Sequence, residues 1–192
     1  MRGCKPLSEK EIKDVEKAIA KGDFGKRNLA LFLMGRFTGL RISELLSLKV
    51  ADVVNHGKIA DSVTVKRCNT KKKLEGKTLP LHKRAKKALE DYLTEGTREG
   101  ADYLFKSRED FNRPITRVQA YRIIRQATDS CRISGKVGTH TMRKTFANQI
   151  HESCGRDLAK TQAALGHKNI ASTICYLSFD RKEIDAAILG LK

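Results

Sequence analysis

The stretch Leu165–Phe179, LGHKNIASTICYLSF, places a Gly-His pair nine residues ahead of a tyrosine inside an otherwise apolar segment. Two readings are open. In the first this is a plain helical hairpin, with His167 capping a turn and Tyr176 packing in the core. In the second the imidazole and the phenol are reactive groups presented together. A phenol has an ordinary pKa near ~10, so as a nucleophile it needs its proton removed and its target activated. Neighbouring arginines and histidines would favour the phenolate and polarise a phosphodiester. The rest of the chain decides between the two.

Working outward from that stretch, most segments read as helices. LSEKEIKDVEKAIAKG (7–22) opens with Ser8 and has Glu11 three residues on, a capping box. Ile12, Val15 and Ile19 follow at helical spacing, and Gly22 stops the run. KRNLALFLMGRFTG (26–39) is more fully apolar, which predicts a buried helix ending at Gly39. RISELLSLKVADV (41–53) starts another, with Ile42, Leu45, Leu46 and Leu48 facing inward. The texture changes in KIADSVTVKRCNTKKKLEGKTLPLH (58–82), where apolar and polar residues alternate around a lysine-rich turn, the pattern of short antiparallel strands. Pro80 falls late in the last strand, at an edge. From Lys83 on, helices are expected over 83–95, 116–131, 139–152, 156–165, 169–177 and 182–190. FNRPIT (111–116) is the largest break, too short for an interdomain linker. The expectation is a single domain over 1–192, mainly α with a small antiparallel β-sheet (α+β).

Composition points to the partner. Of 192 residues, 40% are hydrophobic and 32% charged, a globular balance. Lys and Arg number 39 against 22 Asp and Glu, a net charge of +17. Cations that neutralise phosphates release condensed counterions, so such an excess favours nucleic acid. An anionic membrane surface is the weaker choice: no apolar run approaches the ~20 residues of a membrane span, and the opening residues lack a basic-then-apolar signal pattern. The five cysteines are scattered without a C-x-x-C, which suits reduced thiols in a cytoplasmic protein. His151 and Cys154 offer half of a zinc site, but no second pair stands at ligand spacing.

Three further motifs bear on the tyrosine. In TGLRISELLSL (38–48), Arg41 follows a Gly-Leu turn at the head of an apolar helix, an odd place for a solvated charge. It either pairs with Glu44 on the next turn, or is held by Glu44 and aimed at a phosphate, for which its planar fork is suited. In GTHTMRKTFAN (138–148), His140 and Arg143 are three apart, on one helical face, where they can converge on an anion. Two arginines can neutralise the charge that builds in a pentacoordinate phosphorus transition state. The turn NTKKKLEGK (69–77) sets lysines at a hairpin tip, either simply solvated or able to reach into a DNA groove and deliver a proton.

Taken in order, these motifs resemble the catalytic domain of the tyrosine recombinases, the phage-integrase family of site-specific DNA recombinases. TGLRISELLSL matches the first arginine box, HTMRKTFA the H-x-x-R box, and LGHKNIASTICY the His and nucleophilic Tyr, while KTLPLH matches the family's second and third strands. The resemblance covers about Leu7 to Leu177. It implies the family's catalytic-domain fold and DNA cleavage and rejoining through a 3′-phosphotyrosine. Arg41 and Arg143 would clamp the non-bridging oxygens of the scissile phosphate. His140 and His167 would add hydrogen bonds and help move the tyrosine proton. Tyr176 would attack, and a turn lysine would protonate the leaving 5′-oxygen. Counting back from Pro80 favours Lys72 for that role, with Lys71 close behind. No metal, nucleotide or other cofactor is required. The implied partners are double-stranded DNA at recombination sites, further copies of the chain as a tetramer on DNA, and accessory DNA-bending proteins. The implied location is cytoplasmic, on the nucleoid when bound to DNA.

Family members commonly carry a separate N-terminal helical domain that clamps the other side of the DNA, for which this chain has no room. It is either an excised catalytic fragment or one of the short recombinases. Two other activities compete: a type IB topoisomerase-like nicking and closing reaction, and a non-catalytic DNA-binding protein of the same fold. The tail FDRKEIDAAILGLK (179–192) carries Ile184, Ala187, Ile188 and Leu191 along one helical stripe. That stripe packs either on its own domain or, as segments after the tyrosine do in the resembling family, on a neighbouring protomer. The exchangeable tail would comprise residues 178–192.

Overall fold

The computed structural model describes residues 3–65, 77–96, 99–108, 112–177 and 181–191. The chain forms two compact units, Met1–Phe146 and Ala147–Lys192.

The first unit is built around a buried helix. Helix α1 (Glu9–Lys21) begins with the capping box expected at Ser8: its hydroxyl accepts from the Glu11 N–H at 3.3 Å, and the Glu11 carboxylate accepts from the Ser8 N–H at 2.8 Å. Ile12, Val15 and Ile19 are buried along one face. Helix α2 (Gly25–Thr38) is buried along most of its length and carries Ala30, Leu31, Phe32, Leu33 and Met34 into the core. It lies against α1 and against α4 (Lys83–Leu93), which contributes Ala85, Ala88, Leu89 and Tyr92. Helix α5 (Arg117–Ser130), N-capped by Thr116, packs on α1 through the buried Ala120, Ile123, Ile124 and Ala127. Arg36 of α2 brings a charge into this core, within 3.8 Å of the buried Glu16, which also holds Arg84. An isolated buried guanidinium would be strongly disfavoured, so the carboxylate is required there.

The helix expected over 41–53 is much shorter. Helix α3 covers only Ile42–Leu46, and a single 3-10 turn follows at Val50–Asp52. Leu45, Leu46 and Leu48 are buried as expected, with Ile42 half-buried. The helix stops because tertiary hydrogen bonds replace helical ones. The amides of Val50 and Ala51 donate to the carbonyls of Asp102 and Gly100, at 2.9 and 3.1 Å, and Leu104 donates to Leu48 at 2.8 Å.

Among the described residues the strands form two antiparallel pairs. Strands β1 (Val54–Asn55) and β2 (Lys58–Ile59) form a minimal hairpin. Strands β3 (Ser62–Val65) and β4 (Lys77–Pro80) pair with Val63 opposite Leu79 and Thr64 opposite Thr78. Val63, Val65 and Leu79 face the core, while the Thr64 and Thr78 hydroxyls bond outside at 2.9 Å. Pro80 ends β4 opposite Ser62, where its missing N–H is tolerated. Lys71 and Lys72 lie outside the described residues.

Helix α6 (Thr139–Ser153) begins in the first unit, and its residues from Ala147 onward belong to the second. The second unit adds α7 (Leu158–Leu165), α8 (Ile170–Ile174) and α9 (Arg181–Leu189). Each of the helices expected from Lys83 onward is present: α4, α5, α7 and α8 are shorter by two to four residues, α6 runs one residue further, and α9 is shifted by one.

Candidate active site

In the first unit, the end of α2 organises the arginines. Gly39 terminates the helix in the left-handed region at φ 62°, a conformation that costs a residue with a Cβ about 1–2 kcal/mol. Its lack of a side chain matters twice, because a Cβ there would lie 2.7 Å from Cε1 of Phe146 on α6. One helical turn earlier, a Cβ on Gly35 would lie 2.7 Å from the Met142 sulfur. These two bare positions, four apart on α2, let α6 approach closely. The approach places Arg143, 2% exposed, where its Nη1 donates to the Gly39 carbonyl.

Arg41 follows two residues later, as the N-cap of α3. Glu44 reaches back and accepts from both the Arg41 backbone N–H, at 2.7 Å, and its guanidinium Nη1, at 3.2 Å. The Arg41 side chain nevertheless stays 40% exposed. The ion pair and a presented fork are therefore compatible: one edge of the guanidinium is held and solvent reaches the remainder. His140 and Arg143 share α6 at the expected spacing but differ in setting, since His140 is exposed and Arg143 is buried.

In the second unit, His167 and Tyr176 come together. Asp157 caps α7, accepting from the amides of Ala159 and Lys160 at 2.8 and 3.0 Å. The Lys160 amide is the chief cause that holds the Asp157 carboxyl below the usual aspartate value. The helix ends at Gly166 with φ 64°, turning the chain so that His167 is buried. His167 is fixed at three points. Its N–H donates to the Gln162 carbonyl, its carbonyl accepts from the Gln162 side chain, and its Nδ1 bonds the Thr173 hydroxyl at 3.0 Å. Thr173, fully buried, lies on α8, whose Asn169 cap accepts from the Ala171 N–H. Tyr176 follows α8 directly. Its ring lies 5.4 Å from the His167 ring, tilted by 45°, and its carbonyl accepts from Asn148 on α6 at 3.2 Å. The nine-residue interval is thus one turn plus one short helix, folded back so that phenol and imidazole are neighbours.

In the sequence Gly39 reads only as a helix end, and the motifs assign no role to Gly35, Thr173 or Asn148. The i, i+4 glycine pair in a mostly apolar helix is a readable signal for close helix approach. The partners of Thr173 and Asn148 depend on the fold-back and left no trace in local spacing. His151, half of the zinc alternative, has its Nδ1 hydrogen-bonded to the Thr161 hydroxyl at 3.1 Å. Among the described residues no three His, Cys, Asp or Glu side chains are grouped to hold a metal ion.

The model of the phage integrase family matches residues 5–183. The chain belongs to that family. It is 36% identical over 162 residues to the probable integrase/recombinase YoeC of Bacillus subtilis, covering 84% of this chain and 83% of the relative. A tyrosine recombinase of Pseudothermotoga lettingae is 29% identical over 174 residues, 90% of this chain and 57% of the relative. The crystal structure of XerA recombinase superimposes with a TM-score of 0.78 at 26% identity, over 97% of this chain and 63% of that one. The chain thus spans about three-fifths of the length of the latter two proteins. As a member of the family it is a tyrosine recombinase, an enzyme of site-specific DNA recombination, and its mainly helical fold with small antiparallel β-pairs is that of the XerA structure.

Proposed function

We propose that Tyr176 is the nucleophile of this recombinase and that Arg41, Arg143, His140 and His167 serve the same phosphodiester. The Tyr176 oxygen attacks the scissile phosphorus, the bond from phosphorus to the 5′-oxygen breaks, and a 3′-phosphotyrosine remains. Arg41 and Arg143 neutralise the non-bridging oxygens. His140 and His167 donate hydrogen bonds and carry the phenol proton. The departing 5′-oxygen takes a proton from Lys72, or from Lys71, and its return attack on the phosphotyrosine reseals the strand. The intermediate conserves the energy of the broken bond, so the balance closes without metal or nucleotide.

The observation that carries this reading is the seat of His167 beside Tyr176. A buried imidazole held by Thr173 and by both backbone groups against a half-buried phenol ring is a preorganised pair, more than core filling requires. The exposed fork of Arg41, braced by Glu44, supports it. The net charge of +17 supports double-stranded DNA as the partner. A cytoplasmic location, on the nucleoid when bound, goes with that partner; no described helix is long and apolar enough to cross a membrane.

The two units act as one catalytic domain, and the working assembly is a tetramer on DNA, served by accessory bending proteins. Helix α9 is its connector. Ile184, Ile188, Leu189 and Leu191 are exposed, leaving an apolar surface at the chain's end suited to docking on a neighbouring protomer. Head-to-tail exchange of this kind closes into a ring. Truncation after Phe179 should leave the core folded and weaken assembly on a two-site duplex, as read by sedimentation. Equal assembly by truncated and intact chains refutes the exchange.

The direct test is a nicked suicide duplex carrying candidate attachment sites. The native chain should form a covalent protein–DNA product that survives EDTA, whereas Tyr176→Phe binds the duplex and forms none. An adduct that persists in Tyr176→Phe would move the nucleophile elsewhere, first to the exposed Tyr121. A 5′-phosphorothiolate, whose leaving group needs no acid, should rescue Lys72→Ala; rescue of Lys71→Ala instead reassigns the proton donor.

A further inference from the structure

Helix α4 begins at an unusual residue. Its N-cap is His82, where Ser, Thr, Asp or Asn would be the ordinary choice. The ring performs the capping role, its Nδ1 accepting from the Arg84 N–H at 3.1 Å. It also does something a small cap could not. The imidazole lies face to face on Phe37 of α2, with centroids 3.9 Å apart and planes within 8°. The Arg36 guanidinium lies 4.4 Å from the centre of the same Phe37 ring.

Phe37 sits in the last turn of α2, four residues before Arg41. Between them are Gly39, whose carbonyl Arg143 holds, and the buried Leu40. Any rotation of that last turn would redirect Arg41. His82 itself follows the end of β4 by two residues. The ring pair therefore ties the exit of the β3–β4 pair to the exit of α2. We propose that His82 is a positioning residue for Arg41, acting through its stack on Phe37; this rests on the role given to Arg41 above.

The stack also confers a pH dependence. An Nδ1 that accepts from an amide belongs to a neutral imidazole with its proton on Nε2. Protonation removes the cap acceptor and sets a cation beside Arg36 of α2 and beside Lys83 and Arg84 of its own helix. Glu16 and Glu9 of α1 lie against those arginines, Glu16 with both and Glu9 with Arg36. Partial burial first, then Lys83, Arg36 and Arg84, hold the His82 pKa below the ordinary histidine value. Such a group contributes fully above the ordinary value, and its contribution is lost as pH falls through the lowered one.

Two substitutions separate the ring from the cap. His82→Asn keeps a capping acceptor and removes the stack, whereas His82→Phe keeps an aromatic face and removes the acceptor. Amide hydrogen exchange in the DNA-free chain reads the positioning without catalysis, at Gly39 and Arg41, whose N–H groups donate to Gly35 and Glu44. In His82→Asn these amides should exchange about tenfold faster while those of α5 are unchanged, and single-turnover cleavage should fall about tenfold or more at unchanged DNA affinity. His82→Phe should stay within about twofold of the native chain in both, with a shallower fall of cleavage than the native chain below pH ~6.5. Native exchange at Gly39 and Arg41 in His82→Asn overturns the proposal whether or not the chain cleaves DNA. Equal loss in both variants overturns it too, because the aromatic face kept in His82→Phe would then protect nothing. Accelerated exchange in His82→Asn together with a native chain that forms no adduct sustains the positioning and refutes the Tyr176 mechanism.

Discussion

Replacing Gly39 by alanine should damage this protein twice, and the two costs can be measured separately. The backbone at φ 62° penalises any Cβ by about 1–2 kcal/mol. The new methyl would also press on the Phe146 ring, 2.7 Å from its Cε1, and crowding of a packed core costs about 1–3 kcal/mol. The expected loss is therefore about 2–5 kcal/mol of a domain stability on the order of 5–15 kcal/mol, so the variant folds with reduced stability. For a chain of this size each kcal/mol lowers Tm by about 2–4 °C. Gly57→Ala supplies the control, because Gly57 has φ 74° and nothing within 4 Å of the added methyl. It should show the backbone cost alone. Gly35→Ala supplies the converse: ordinary helical backbone, with contact falling on the flexible Met142 side chain. There a helix-propensity gain of up to about 1 kcal/mol offsets the crowding, and the net change should be small. Cleavage by folded Gly39→Ala should also drop, since the displaced carbonyl is the one Arg143 holds. The assay is urea denaturation of the three variants together with cleavage of the suicide duplex. If Gly39→Ala and Gly57→Ala lose the same stability, the close approach of Phe146 is energetically irrelevant and the packing argument fails.

Arg41→Lys keeps the charge and loses the planar fork, so cleavage should fall by orders of magnitude while DNA affinity, read by gel shift, changes little; a parallel fall in both would make Arg41 a general phosphate contact. Thr173→Val keeps shape and removes the hydroxyl on His167 Nδ1, and should cut cleavage about tenfold with DNA binding intact. An unchanged rate would show that the imidazole needs no such brace. The Asp157 cap titrates: with a folded pKa below the usual aspartate value, its stabilisation is present above that usual value and lost as pH falls through the lowered one. Asp157→Asn keeps the cap without the titration, so the fall of Tm between pH ~5 and ~2.5 should be shallower than in the native chain. Matching slopes would remove the cap from the acid response.

Features of this protein set by neighbours along the chain could be read in its sequence. The Ser8–Glu11 box, the amphipathic face of α1, the apolar run of α2 with its terminating glycine, and the β3–β4 alternation each depend on contacts a few residues apart. The interval from His167 to Tyr176 belongs with them, because a left-handed Gly166 and a five-residue helix are local devices that bring the two rings together. Tertiary structure decided the remainder. Helix α3 ends at Leu46 because amides at Val50 and Ala51 find better-placed carbonyls near residue 100, a competition that local propensity cannot express. Among the described residues the β-pairs stay separate, and Asn148 on the Tyr176 carbonyl and His82 on Phe37 meet partners 28 and 45 positions away. Most telling is Arg143. Its type and its spacing from His140 can be read along the chain, but its burial, with Nη1 on the Gly39 carbonyl, follows from two bare glycines on α2 that let α6 come within reach. A side chain's type and spacing determine what chemistry it can perform; which atom it faces is set by how closely two backbones approach.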